Sequence, residues 1–386
     1  MPLPIAALRR PLLSVHHVYV WRAPTEQWRE KVANAKEARI RDQAAFNMIT
    51  KAAPGMIPYK AADGKEVPRV YLAARGGGGR ELRLGVLPLD RFLNGHTFFV
   101  QHVHTLPNAL PAMSVHMTYQ FAEGSSFAYG KRQRLREAGL WFVDGDEYYS
   151  GKYLSVSALG GTLPPVSIAV DADSRVAVKQ HLAEHAHMRA TLRAMLGIAK
   201  ATGRQLILPR MLCYCDYMWK EMRACRVGGA ETMRLPFDCP MDHVLDTPKF
   251  FENSLGVEVR EPAFLSSPRI AAGVASSIVK VALPKAPLDD EGIRKLMAPH
   301  EDARIIELDE AAGRFCGFSD AAANSAFAAE TERILTYDRV PFCTIEGSDN
   351  APLYSRCCTP WHDGEKFFPC EYGFGKPAPL PTCGGA

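Results

Sequence analysis

A Gly/Ser loop (Gly124, Ser125, Ser126) opens onto four cations, Lys131, Arg132, Arg134 and Arg136. Arginine offers a rigid fork of donors to phosphate oxygens and lysine adds a compact charge, so this cluster has the chemistry to seat a diphosphate. The same spacing suits a helix start with its charges in water. Downstream, Asp144-Gly145-Asp146 has the form of a carboxylate pair for a hard divalent cation. His96, His102, His104 and His116 are further candidate contacts to metal or phosphate. His181 and His185 stand one helical turn apart, a spacing that can bring two imidazoles to one metal, but the residues between them do not make an HExxH motif, which points to a structural or solvated pair. Cys213, Cys215, Cys225 and Cys239 do not match the CxxC pairs of zinc sites. They are expected to form local disulfides in an oxidising lumen, or to stay thiols in the cytosol.

These residues need elements to hold them. Two apolar-aromatic runs, His96–Val100 and Val115–Phe121, read as buried strands flanking the histidines. Residues from Thr25 to about 52 carry apolar positions at helical spacing, and Leu84–Leu87 reads as a short strand. Gly76–Gly79 lacks the strand–GxxxxGK[ST]–helix setting of a phosphate loop and reads as a flexible loop. Farther on, Val166–Val170 is a β-branched run and Val176–Thr202 carries a helical apolar stripe closed by Gly203. Leu206–Leu208 then starts a strand, which together predicts a β-α-β unit with a parallel crossover. A strand at Ile305–Leu308 and a helix from about Asp320 to Thr336 follow.

The chain has 386 residues, enough for two domains with cores of their own. A net charge of +4 is too small to argue for nucleic acid or an anionic membrane as partner. The sequence holds no run of about 18 uncharged apolar residues, so no transmembrane helix is expected, and Arg9 and Arg10 interrupt the only N-terminal stretch that resembles a leader.

Several blocks in fixed order carry a resemblance. DQAAFN (residues 42–47), LGVLP (84–88), NGHTFFVQ (94–101), VHMTYQF (115–121), GKRQRLRE (130–137), LILPRMLCYCD (206–216) and LPFDCPMDHV (235–244) together resemble the plant and green-algal nucleotide-diphospho-sugar transferases of glycosyltransferase family 77, the extensin arabinosyltransferases among them. The resemblance spans roughly residues 40–345. It implies an α/β fold in which residues 1–155 form the later half of a GT-A-like sugar-transferase domain, 163–345 a Rossmann-like α/β domain, and 346–386 a Cys/Pro-rich tail. The implied activity is transfer of L-arabinofuranose from a UDP-sugar to hydroxyproline-linked arabinose on cell-wall glycoproteins, in the Golgi, with Mn2+ as the divalent metal. Asp42 and Gln43 then correspond to catalytic residues that position sugar hydroxyls. Asn47, His96, His116, Lys131, Arg132 and Arg134 correspond to substrate-binding positions, with His116 also a metal ligand. The metal-binding Asp-x-Asp of such enzymes lies upstream of the Asp-Gln block, and none precedes Asp42, so the N-terminal donor-binding half is expected to be missing. The alternative that follows is a non-catalytic chain with an acceptor-binding or assembly role.

Overall fold

The computed structural model describes residues 57–75, 81–118, 127–172, 174–216, 225–227, 229–270, 272–336, 360–361, 365–366 and 377–383. The expected helix after Thr25, the Gly76–Gly79 loop and most of the tail lie outside them. The chain divides into two compact units, residues 1–94 with 102–116, and residues 95–101 with 117–386.

The first unit holds a three-stranded antiparallel sheet of β1 (Ile57–Lys60), β2 (Glu66–Arg75) and β3 (Glu81–Gly85), paired in that order. Two short parallel strands, β4 (Phe92–Asn94) and β5 (Ser114–His116), pair Asn94 with His116. The strand expected over Val115–Phe121 therefore ends, within the described residues, at His116.

The second unit opens with a helix where the run His96–Val100 predicts a strand. Gly95–Phe99 forms α1, with all its residues buried. A short apolar run carries no period that separates a buried strand from a buried helical turn, so local sequence leaves this choice to tertiary contacts. One such contact is explicit: a Cβ on Gly95 would lie 1.8 Å from the Thr118 carbonyl oxygen, an approach that only glycine admits. The basic run is also helical, in α2 (Phe127–Glu137), so Lys131 and Arg132 are presented by a helix rather than a loop.

A five-stranded parallel sheet organises the rest. β6 (Tyr153–Val156) precedes a one-turn helix, α3 (Ala158–Gly161), and the long α4 (Ser174–Thr202). Then come β7 (Gln205–Ile207), a small antiparallel pair of β8 (Leu212–Cys213) and β9 (Phe237–Asp238), α5 (Thr247–Phe251) and β10 (Val259–Arg260). The chain continues through α6 (Ala272–Ser276), β11 (Ile278–Val281), β12 (Leu288–Asp289), α7 (Asp290–Met297), β13 (Ile305–Leu308), β14 (Phe315–Gly317) and α8 (Ala321–Leu335). The sheet order is β10-β7-β6-β13-β11, all neighbours parallel. This is a mixed α/β architecture with the strands covered on their faces, which is why they read as continuous apolar runs.

The expected β-α-β unit is present with a different first strand. Val166–Val170 supplies only an isolated bridge between Ile168 and Leu235, and the central strand is β6, which pairs with β7 at Leu154 and Leu206. Of the helical stripe expected at Val178, Leu182, His185, Leu192, Leu196 and Ala199, the last three are buried in the main core with Met188 and Met195, His185 is buried and Leu182 is half-buried against it. Each buried leucine or methionine among them contributes about 1.5–3 kcal/mol by leaving water. Gly203, at φ 63°, ends the helix in the left-handed conformation that favours glycine. No helix among the described residues is long and apolar enough to cross a membrane.

Candidate functional site: a buried acid–imidazole–guanidinium network

Four segments of the second unit bring charged and imidazole side chains together in the interior. His96 comes from α1, Arg134 from α2, Asp216 from the chain after β8, and Asp242 with His243 from the single helical turn Met241–His243 after β9. All are buried, with Asp216 at 0% exposure and Arg134 at 1%.

Asp216 is the hub. Its Oδ2 lies 2.5 Å from His96 Nε2 and its Oδ1 3.4 Å from His243 Nε2. The Nη2 of Arg134 reaches His243 Nδ1 at 3.1 Å, and because a guanidinium only donates, that nitrogen is an acceptor. The His243 proton therefore sits on Nε2, aimed at Asp216. Likewise Gln101 presents its amide nitrogen to His96 Nδ1 at 2.8 Å, which leaves His96 Nε2 to donate to Asp216. On its other side Arg134 donates from Nε to Asp242 at 2.7 Å, and its guanidinium lies 5.9 Å from the Phe99 ring centre.

Burial by itself would raise the Asp216 carboxyl, but hydrogen bonds from His243 and His96 outweigh it and hold the group below the usual carboxylate range. Asp242 is likewise held down at about 2, burial being outweighed chiefly by the charge of Arg134. Glu137 goes the other way. Its carboxylate accepts from Met241 N at 3.1 Å and from Gln133, yet burial and the neighbouring Asp242 charge push it up to about 8.

Two disulfides fix the segments that carry this network. Cys213–Cys239 crosses from β8 to the chain after β9, and Cys215–Cys225 closes the loop that starts beside Asp216. His181 of α4 accepts from the backbone amides of Tyr214 and Cys215, at 3.0 and 3.3 Å, tying the long helix to the same segment. Burial, with His243 and Arg189 nearby, lowers His181 to about 3, so its lone pair stays available to those amides. His181, His185 and Cys213 are the grouping of three side chains at metal-ligand spacing found among the described residues. Cys213 is in a disulfide and His181 Nδ1 is engaged, so the grouping acts as a structural cross-brace, the structural rather than the solvated form of the pair.

The other candidate residues are placed separately. Asp42, Gln43 and Asn47 lie outside the described residues. His116 ends β5 in the first unit and is exposed. It is not part of the metal-ligand grouping found among the described residues. Lys131 is exposed, Arg132 is half-buried with its guanidinium 5.1 Å from the Tyr129 ring, and Arg134 turns inward to Asp242. The basic run is thus divided rather than gathered. Asp144 and Asp146 are also divided: Asp144 accepts from both Arg136 and Trp141, whereas Asp146 pairs with Arg269.

Asp216 and the Asp242–His243 pair were not singled out by type or spacing, only as parts of the blocks LILPRMLCYCD and LPFDCPMDHV. The usable signal was a carboxylate closing an apolar, cysteine-bearing run. A buried carboxylate needs partners.

An α/β fold with a parallel sheet, disulfides and a buried charged network is the class that these observations define. The chain is similar to arabinosyltransferase XEG113 of Arabidopsis thaliana, with 27% identity over 351 residues covering 82% of this chain and 50% of that protein. It thus spans about half the length of the curated relative it matches. This similarity bears out the resemblance to extensin arabinosyltransferase-like glycosyltransferases read from the ordered blocks. No protein-family profile matches the sequence, and no solved structure matches the chain.

Proposed function

We propose that the chain serves as a glycosyltransferase of the arabinosyltransferase kind. It would transfer L-arabinofuranose from a UDP-sugar to hydroxyproline-linked arabinose on a cell-wall glycoprotein. The observation that carries this reading is the similarity to an arabinosyltransferase over 82% of the chain. Supporting it, four of the ordered blocks supply the partners of one buried network: His96, Arg134, Asp216 and the Asp242–His243 pair. The disulfides Cys213–Cys239, Cys215–Cys225 and Cys316–Cys383 suit an oxidising compartment such as the Golgi lumen.

In this reading the network positions rather than reacts. Asp216 fixes the His96 imidazole and with it the segment 95–101, so the turn keeps one shape. Asp42 and Gln43 orient sugar hydroxyls. Because Arg134 is committed to Asp242, Lys131 and Arg132 are the members of the basic run that would face a diphosphate. A divalent cation, when bound, would neutralise charge on the departing nucleotide diphosphate.

The test is transfer of a pentosyl unit, read by mass spectrometry, with UDP-L-arabinofuranose, Mn2+ and a hydroxyproline-linked arabinose peptide. The expected outcome is a pentosylated product, with turnover lowered at least tenfold by Asp216→Asn. A folded chain that binds the peptide but forms no product would instead assign the non-catalytic, acceptor-binding role.

A further inference from the structure

The long helix α4 carries His181, His185, Arg189 and Arg193 at successive spacings of four, so they form one stripe along it. All four are buried, at 1%, 6%, 8% and 7% exposure. The helix has a single carboxylate, Glu184. It lies about 140° around the axis from Arg189. There it accepts from the Leu163 amide at 3.0 Å. α4 thus gives the basic stripe no acid.

Three members of the stripe are held by the protein. His181 Nδ1 accepts from the Tyr214 and Cys215 amides, and His185 Nε2 lies 4.0 Å from Cys213 Sγ. Arg193 donates to Thr331 Oγ1 at 3.0 Å and to the carbonyl oxygens of Ala328 and Ala378. Arg189 differs: it forms no hydrogen bond or ion pair among the described residues, and its Nε is buried without a partner. The other buried arginines show how this chain normally treats the group. Arg134 holds Asp242, Arg204 donates to four carbonyl oxygens, Arg226 to the Met233 carbonyl and Arg260 to Glu258. Burial lowers Arg189 to about 10, with no carboxylate opposing the shift, so the group is still a cation at neutral pH. A charge taken out of water without a counter-charge costs the fold stability.

A guanidinium with its fork of donors uncommitted can grip an oxyanion through two parallel N–H···O bonds. Burial, His181 and Arg189 keep the His185 imidazole well below its ordinary value, so it is neutral and supplies no counter-charge. Arg193, one turn on, bonds to neutral acceptors, and Glu332 acts on it by charge without an ion pair. Two cations one turn apart favour a divalent oxyanion over a single carboxylate. We infer that Arg189 is the anchor of a binding site for a phosphate-class oxyanion on this face of α4, between the levels of His185 and Arg193. The ligand supplies the counter-charge that the described residues do not. This inference rests on charge balance within the second unit and does not depend on the transferase reading.

The experiment uses the full chain and inorganic phosphate as the probe. Equilibrium dialysis with radiolabelled phosphate counts the sites, and thermal melting is compared with sodium chloride at the same ionic strength. Binding of about one phosphate per chain is expected, with melting raised by roughly 3 °C or more at about 100 times the dissociation constant. Arg189→Met should abolish both responses, yet melt in chloride no lower than the unaltered chain, because the uncompensated charge is gone. Arg189→Lys keeps the charge without the fork and should bind phosphate at least about tenfold more weakly. Lys280→Ala, which removes an exposed cation, should leave both responses in place. Displacement by uridine monophosphate would put the oxyanion on a nucleotide, and no displacement would make it the free ion; both outcomes support the site. Absence of saturable binding, or phosphate binding that survives Arg189→Met, would overturn the proposal. So would a lower melting temperature of Arg189→Met in chloride, which would show that the chain itself partners the guanidinium. Should that variant not fold, unchanged phosphate affinity in Arg189→Lys counts against the site.

Discussion

Arg134 and Arg136 lie on one helix, two positions apart, and the protein treats them differently. Arg134 is inside, between Asp242 and His243, with 1% exposure. Arg136 sits at the margin: it holds both oxygens of Asp144, at 2.9 and 2.5 Å, and its guanidinium lies 4.4 Å from the Tyr148 ring centre. That ring also carries Arg260 at 4.1 Å and donates its hydroxyl to Glu261 at 2.6 Å. The inner cation balances a buried carboxylate that has no access to water. The outer one joins a stacked, mostly buried cluster with Tyr148, Arg260 and Glu261, in which alternative partners share the load. Arg134 and Arg136 of the basic run are thus two attachments of α2, of unequal depth.

Removing each attachment should separate them by size. Arg134→Met takes the guanidinium away from the buried Asp242 carboxylate, and should lower unfolding stability by about 3–5 kcal/mol in urea titrations. Adding Asp242→Leu to it should recover most of that loss, because the uncompensated charge goes with the second change. A cost unchanged by the second substitution would mean that the packing of the Arg134 stem, not its charge, sets the depth of the site.

The pH dependence of the same site has a definite sign. Glu137 is raised to about 8 in the folded chain, so between its ordinary range near 4.5 and 8 the native state holds a proton that the unfolded state has released. Stability from this group is complete below about pH 4.5 and is lost as pH rises through 8, with a slope of at most about 1.4 kcal/mol per pH unit. Glu137→Gln should flatten the stability profile across that window. An unchanged slope would place the titration elsewhere.

Smaller effects belong to the outer attachment. Arg136→Ala should cost about 1 kcal/mol, the scale of a partly exposed ion pair with a cation–π contact. Lys131→Ala should change stability by less than about 0.5 kcal/mol. In an active chain it should instead weaken UDP affinity, measured by calorimetry, if Lys131 faces the diphosphate. A stability loss from Lys131→Ala as large as that from Arg136→Ala would erase the distinction between exposed and anchored cations.

The sequence discloses these regions unequally, for a physical reason. The helix at Val176–Thr202 and the strands at Leu206–Leu208 and Ile305–Leu308 follow from local periodicity, and the structure has them at Ser174–Thr202, Gln205–Ile207 and Ile305–Leu308. The network does not follow from it, because its partners are distant: His96 and Asp216 are separated by 120 positions and Arg134 and Asp242 by 108. No local pattern marks Arg134 as inward and Lys131 as outward within one run. The turn at His96 is hidden for a related reason, since its helical form depends on Gly95 meeting the backbone of Thr118. Only the order of the blocks hinted that these residues work together.

The central claim is that Asp216 joins His96 and His243 into one unit. A double-mutant cycle with His96→Asn and His243→Asn, read by chemical denaturation of the disulfide-intact chain, tests it most directly. Shared dependence on one carboxylate predicts that the two losses fail to add, with a coupling of at least about 1 kcal/mol. Losses that add to within about 0.3–0.5 kcal/mol would show two independent histidines and contradict the network.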